Sequence, residues 1–134
     1  MTRSADNVFH LAIPCRDLEE ARHFYVDQLG CLLARRYADR ITLNFFGDQV
    51  VCHLLPNQVD PEPRMYPRHF GVTFRDEAAF LALHARAKSS AAPFFKEIFV
   101  RFADHPEEHR TFFLCDPSNN LLEFKHYGNP AMMY

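Results

Sequence analysis

One pattern occurs twice in this chain and constrains its fold more than any other feature. VFHLAIPCRDLEEARHFY at residues 8–25 and HFGVTFRDEAAFLAL at residues 69–83 each set a histidine seven positions ahead of an aspartate. The histidine stands in a short, largely apolar run, and the aspartate precedes a run with apolar residues at helical spacing. A period of two marks a half-buried strand, and spacings of three and four mark an amphipathic helix. Each copy therefore reads as strand, capped turn and helix, and the chain as a duplicated module.

The same reasoning extends each module. In the first, Phe9, Leu11 and Ile13 are expected to face the helix, while Val8, His10 and Ala12 share the other face. Pro14 should end the strand. Asp17 caps the helix, Glu20 is placed to complete a capping box, and Gly30 supplies the stop. Leu18, Ala21, Phe24, Tyr25 and Leu29 form the buried stripe. Residues 31–36, 40–46 and 49–55 follow as three strands, with Gly47-Asp48 as a hairpin turn. In the second module Phe70, Val72 and Phe74 should face a helix capped by Asp76, with Phe80, Leu83 and Ala87 buried. Strands at 94–102, 111–115 and 121–127 complete it. The last two flank Asp116-Pro117-Ser118-Asn119-Asn120, with Asn119 expected at positive φ. Prolines 56, 61, 63 and 67 mark 56–67 as an exposed linker between module one (about 7–55) and module two (about 68–127). That linker is too short to separate two domains, so residues 1–134 are expected to form one.

Composition narrows the function classes. A net charge of −2 argues against a nucleic-acid or anionic-membrane partner, both of which need concentrated positive charge. No apolar run approaches the length that spans a bilayer, and MTRSADN has no apolar core of a secretion signal. Cys15, Cys31, Cys52 and Cys115 are widely spaced and read as reduced thiols of a cytoplasmic protein.

Four polar residues interrupt the apolar strands. His10 and His69 lie on the first strand of each module, and His53 and Glu123 on the last. Singly, each has an ordinary explanation. A strand histidine is more often a satisfied core or edge residue than a ligand, and Glu123 could pair with Lys125 or Arg110. If the modules are related by a two-fold axis, however, all four converge. Three imidazoles and a carboxylate in an apolar cleft then suit a divalent metal, because a buried carboxylate needs a cation or donor. Two histidines and one carboxylate form the facial set of non-haem Fe(II), and also hold Mn, Zn or Ni. His53 is open as a fourth ligand, an acid or base, or a hydrogen-bond partner. His23 and His84 are expected in solvent on helices, His105 and His109 in or beside a polar loop, and His126 on the face opposite Glu123. Arg101, Arg110 and Lys125 are the candidates for holding an acidic substrate.

These segments, with RHFGVTF and DPSNNLLEFKHY, resemble the vicinal oxygen chelate superfamily over residues 7–127. That superfamily includes glyoxalase I, extradiol dioxygenases, and fosfomycin and bleomycin resistance proteins. The resemblance implies an α+β fold of two βαβββ modules forming a cupped eight-stranded mixed sheet. It implies His10, His69 and Glu123 as metal ligands. His53 stands where glyoxalase I places a glutamate, which favours a dioxygenase-like enzyme acting on a catechol-like small molecule with Fe(II). A glyoxalase-like isomerase or lyase, with His53 as candidate base, is the alternative. A protein that sequesters an antibiotic or other ligand without turnover is a third reading, from another class. The resemblance also implies a homodimer, in which modules could exchange between copies.

Overall fold

The computed structural model describes residues 2–134. Each half builds one four-stranded mixed sheet with a helix across one face. Module one comprises β1 (His10–Cys15), helix α1 (Leu18–Arg22), β2 (Leu32–Arg36), β3 (Arg40–Phe45) and β4 (Asp48–Leu54). Module two comprises β5 (Phe70–Phe74), α2 (Glu77–Ser89), β6 (Phe94–Arg101), β7 (His109–Cys115) and β8 (Leu121–Tyr127). The strand orders, β1-β4-β3-β2 and β5-β8-β7-β6, are the same topology twice. In each, the first strand pairs parallel with the last and the remaining pairs are antiparallel. The expected eight-stranded sheet is not formed: the two sheets stay separate, with β1 and β5 each at an edge of its own sheet.

The helix-bearing faces of both modules meet in one core. Leu18, Ala21, Phe24 and Tyr25 share it with Phe80, Leu83, Phe112 and Phe124. The Phe45 ring spans the junction, 5.6 Å from Phe70 and 6.5 Å from Phe124 between centroids. Arg86 of α2 donates to the Asp27 and Gln28 carbonyls, the unsatisfied acceptors where the first helical segment ends. Alternation therefore sends Leu11, Ile13, Val72 and Phe124 toward the shared core, and turns the opposite face of each sheet outward.

Local structure departs from the sequence reading at several points. β1 continues through Pro14 to Cys15, which an edge strand permits. Phe9 precedes the strand and is 56% exposed rather than packed under the helix. Asp17 caps α1 as expected by accepting from Glu19 and Glu20 backbone N–H groups. Glu20 spends its carboxylate on Arg16, so the reciprocal half of the capping box is missing. Beyond Arg22 the helix widens into a π-helical stretch, His23–Gln28, with Leu29 N–H bonding the Phe24 carbonyl five residues back. That wide turn buries Phe24, Tyr25 and Gln28 together. Gly30, at φ +84°, ends it. The β3–β4 turn is Phe46-Gly47, one residue earlier than expected, with both residues at positive φ. Asn119 also has positive φ, at 61°. His84 is not free in solvent. It packs against Phe94 and Phe112 and bonds Glu97.

Candidate active site between the modules

Module two assembles a compact polar cluster on the outward face of its sheet. His69 enters β5, and the parallel register sets Gly71 beside Glu123 of β8. A Cβ on Gly71 would lie 1.7 Å from the Glu123 carbonyl oxygen, so only glycine permits this approach. Glu123 is 7% exposed, and its Oε2 lies 3.0 Å from His69 Nε2. Its other oxygen accepts from Thr111 Oγ1 at 2.9 Å, and Lys125 Nζ stands 3.8 Å from Oε2. His69 is held on its other nitrogen, where Nδ1 meets the Met65 carbonyl. The Tyr66 and Phe113 rings pack edge-on against the imidazole, at 5.7 and 5.5 Å.

This arrangement fixes the ring's chemistry. A carbonyl can only accept, so Nδ1 carries the proton. A neutral imidazole then points the Nε2 lone pair at a carboxylate oxygen 3.0 Å away. Two acceptors facing each other repel unless a cation, a proton or a metal, lies in the site. An imidazole nitrogen and a carboxylate, each oriented by a second hydrogen bond, are a donor pair suited to a divalent ion.

The two module-one histidines stand elsewhere. His10 is exposed at the start of β1, paired in register with Gln49, and its Nδ1 bonds the Gln49 side chain. His53 lies beside Pro14, four residues further along β4 and about 13 Å from Gln49 at strand spacing. The two registers correct the equivalence expected of His53. Leu11 pairs with Val50 and Ala12 with Val51, just as Phe70 pairs with Leu122 and Gly71 with Glu123. Glu123 therefore corresponds to Val51, and His53 corresponds to Lys125. Among the described residues, no three His, Cys, Asp or Glu side chains of one chain come together as a metal site. The structure joins His69 to Glu123 and leaves His10 and His53 apart from that pair.

His53 and His69 do share a cavity. A space of about 680 Å³ lies between the modules, bounded by β1, His53, His69, Phe70 and the Asn119–Leu121 turn. Its outer wall is the proline-rich segment, through Gln58, Asp60, Pro63, Arg64, Pro67 and Arg68. The expected linker is thus part of the site, supplying both a cavity wall and the Met65 carbonyl. Asn119 Nδ2 ties it down by donating to the Asp60 carbonyl at 2.9 Å. The sequence carried a hint of this, since Arg64, Met65, Tyr66 and Arg68 are not flexible-linker residues. Thr111 was readable too, as the polar residue of TFFLC on the face that Phe113 shares. Arg101 and Arg110 take other roles: Arg101 lies over the Tyr66 ring, and Arg110 pairs with Glu77.

The model of the Glyoxalase/Bleomycin resistance protein/Dioxygenase superfamily matches residues 7–124. The chain belongs to that superfamily. A glyoxalase/bleomycin resistance protein/dioxygenase from Alicyclobacillus acidocaldarius is 60% identical, with a TM-score of 0.96 over 99% of this chain and 100% of that one. The fold alone is shared with two more distant superfamily structures. The fosfomycin resistance protein FosX of Listeria monocytogenes is 15% identical, with a TM-score of 0.72 over 96% of this chain and 98% of that one. A lactoylglutathione lyase from Agrobacterium tumefaciens is 14% identical, with a TM-score of 0.66 over 90% and 93%. Comparison with curated proteins returns no match. No helix among the described residues is long and apolar enough to cross a membrane.

Proposed function

We infer that this chain is a divalent-metal enzyme of the vicinal oxygen chelate type, dioxygenase-like, acting on a small molecule with adjacent oxygens such as a catechol. The observation that supports this reading is His69 Nε2 facing a Glu123 oxygen at 3.0 Å, with Nδ1 already committed to the Met65 carbonyl, a pair that calls for a proton or a metal ion in the site. His69 and Glu123 are two ligands of the metal, Fe(II) in preference to Mn, Zn or Ni. His10 is the third, contributed by a second copy of the chain, because within one chain it stands apart on the other sheet. This arrangement requires a homodimer, to whose interface the exposed apolar side chains of Val8, Phe9, Leu32 and Val100 are available. The bound metal supplies Lewis-acid polarisation of the adjacent oxygens and leaves positions open for substrate and dioxygen.

The protein's own groups do the rest. Thr111 orients the carboxylate, and Met65 fixes the imidazole tautomer. His53, on the wall of the same cavity as His69, takes the substrate hydroxyl proton as general base. Four unpaired cysteines suit a reducing, cytoplasmic setting.

The test begins with anaerobic Fe(II) titration by calorimetry. The parent binds, and His69→Ala and Glu123→Ala lose at least about tenfold in affinity. Oxygen uptake against a catechol panel follows. No uptake, together with full turnover of a glutathione hemithioacetal under Zn or Ni, would replace the dioxygenase reading by the isomerase one.

A further inference from the structure

We propose that the inter-module cavity selects a ligand bearing a carboxylate, recognised by Arg64 and Arg68. The inference names the substrate class of the site described above and rests on that reading only for the position of the reacting oxygens. Among the described residues, the arginines engaged with carboxylates are Arg3, Arg16, Arg22, Arg36, Arg40 and Arg110. Arg64 and Arg68 are not among them, yet both stand on the cavity wall that also carries His53 and His69. Both also line a second space of about 400 Å³ along the same segment, so the wall they form has room on either side.

The remaining charged group on the main cavity is Asp60, whose Oδ1 accepts from the Glu62 backbone N–H. On the main cavity the two guanidinium groups outnumber the one carboxylate of Asp60, while Glu62 joins them only on the second space. That excess of guanidinium over carboxylate suits an anionic group on the ligand. A guanidinium presents paired N–H donors matched to the two oxygens of a carboxylate. Leu11, Ile13, Phe70 and Leu121 give the cavity an apolar side for the body of such a ligand. Its size falls within the usual range of small-molecule sites. A carboxylate held at the arginine wall would direct the far end of the molecule toward His69.

The experiment uses the metal-free full chain and NMR titration with 3,4-dihydroxybenzoate, catechol and phenyl phosphate. Dihydroxybenzoate should bind about tenfold or more tightly than catechol, the worth of one charge-assisted contact. In R64Q/R68Q that preference disappears while catechol affinity and thermal midpoint are unchanged. Equal binding of dihydroxybenzoate and catechol to the parent would overturn the proposal. So would a preference that survives in R64Q/R68Q, or phenyl phosphate binding more tightly than the carboxylate. Because metal is absent, the outcome does not depend on His69 and Glu123 as ligands. Arginine-dependent binding in a protein that fails to take up metal would leave this inference standing and remove the metal reading alone.

Discussion

Asp116 shows what a single side chain contributes to holding the modules together. It begins the turn of module two, is 3% exposed, and accepts from Tyr25 Oη at 2.7 Å across the module junction. It also accepts from the Ser118 and Asn120 backbone N–H groups and from Asn120 Nδ2. Burial pushes its carboxyl above the usual aspartate value, outweighing those four donors. Burial likewise pushes the Tyr25 phenol well up. A carboxyl raised on folding keeps its proton to higher pH in the native state than in the unfolded chain. Within that window the unfolded chain binds fewer protons, so this group's stabilisation is full below the unfolded value and is lost as pH rises to the folded one. Asp116→Asn should therefore lack a decline that the parent shows above about pH 4. Urea unfolding of both proteins from pH 4 to neutrality measures it, and an equal decline in the variant would place the effect in another group. Tyr25→Phe should cost about 1–3 kcal/mol, mainly by depriving the buried carboxylate of one donor. Sequence placed Asp116 in a turn and Tyr25 on a buried stripe, but nothing local links residues 91 positions apart.

At the scale of elements, what could be read depended on whether the signal was local. Helix stops, the Asn119 turn and the strand–helix–strand order were legible because caps, turns and periodicity act over a few residues. The π-helical stretch was not, because a wide turn is imposed by what Phe24, Tyr25 and Gln28 must reach in the tertiary core. The equivalence of His53 with Glu123 failed for a related reason: it depends on register, and register is set by pairing across the sheet. The proline-rich segment is exposed as expected, but its part in the cavity was not legible, because proline reports chain geometry and not what the chain borders. Gly71 makes the importance of register testable. Any side chain there meets the Glu123 carbonyl at 1.7 Å, so β5 must move off β8 and carry His69 with it. Gly71→Ala should lose about 1–3 kcal/mol in urea unfolding, as overpacked sites do. Fe(II) affinity should fall with it, although no ligand is changed. Parent-like metal binding in a folded Gly71→Ala protein would show that the β5–β8 spacing does not govern the pair.

For the whole molecule, the decisive point is that one chain does not bring the three proposed ligands, His10, His69 and Glu123, together, although His53 and His69 share a cavity. The modules share their helix-bearing faces, so their outward faces point away from the common core. His10 lies on one of those faces and the His69–Glu123 pair on the other. A second copy, related by a two-fold axis, can set its module one against module two of the first, giving two equivalent sites per dimer. This predicts complementation. His10→Ala spoils only a ligand from module one, and Glu123→Ala only a ligand from module two. Each homodimer is inactive, because both of its sites carry the same defect. In a mixed dimer one site collects both defects and the other collects neither. Random exchange makes about half of the dimers mixed, with one intact site in two, so about a quarter of parental turnover and metal capacity should return on mixing. The mixture is made by unfolding and refolding the two variants together, with each variant refolded alone as control. If both modules of one site came from the same chain, every mixed dimer would hold one defect per site, and mixing would restore nothing.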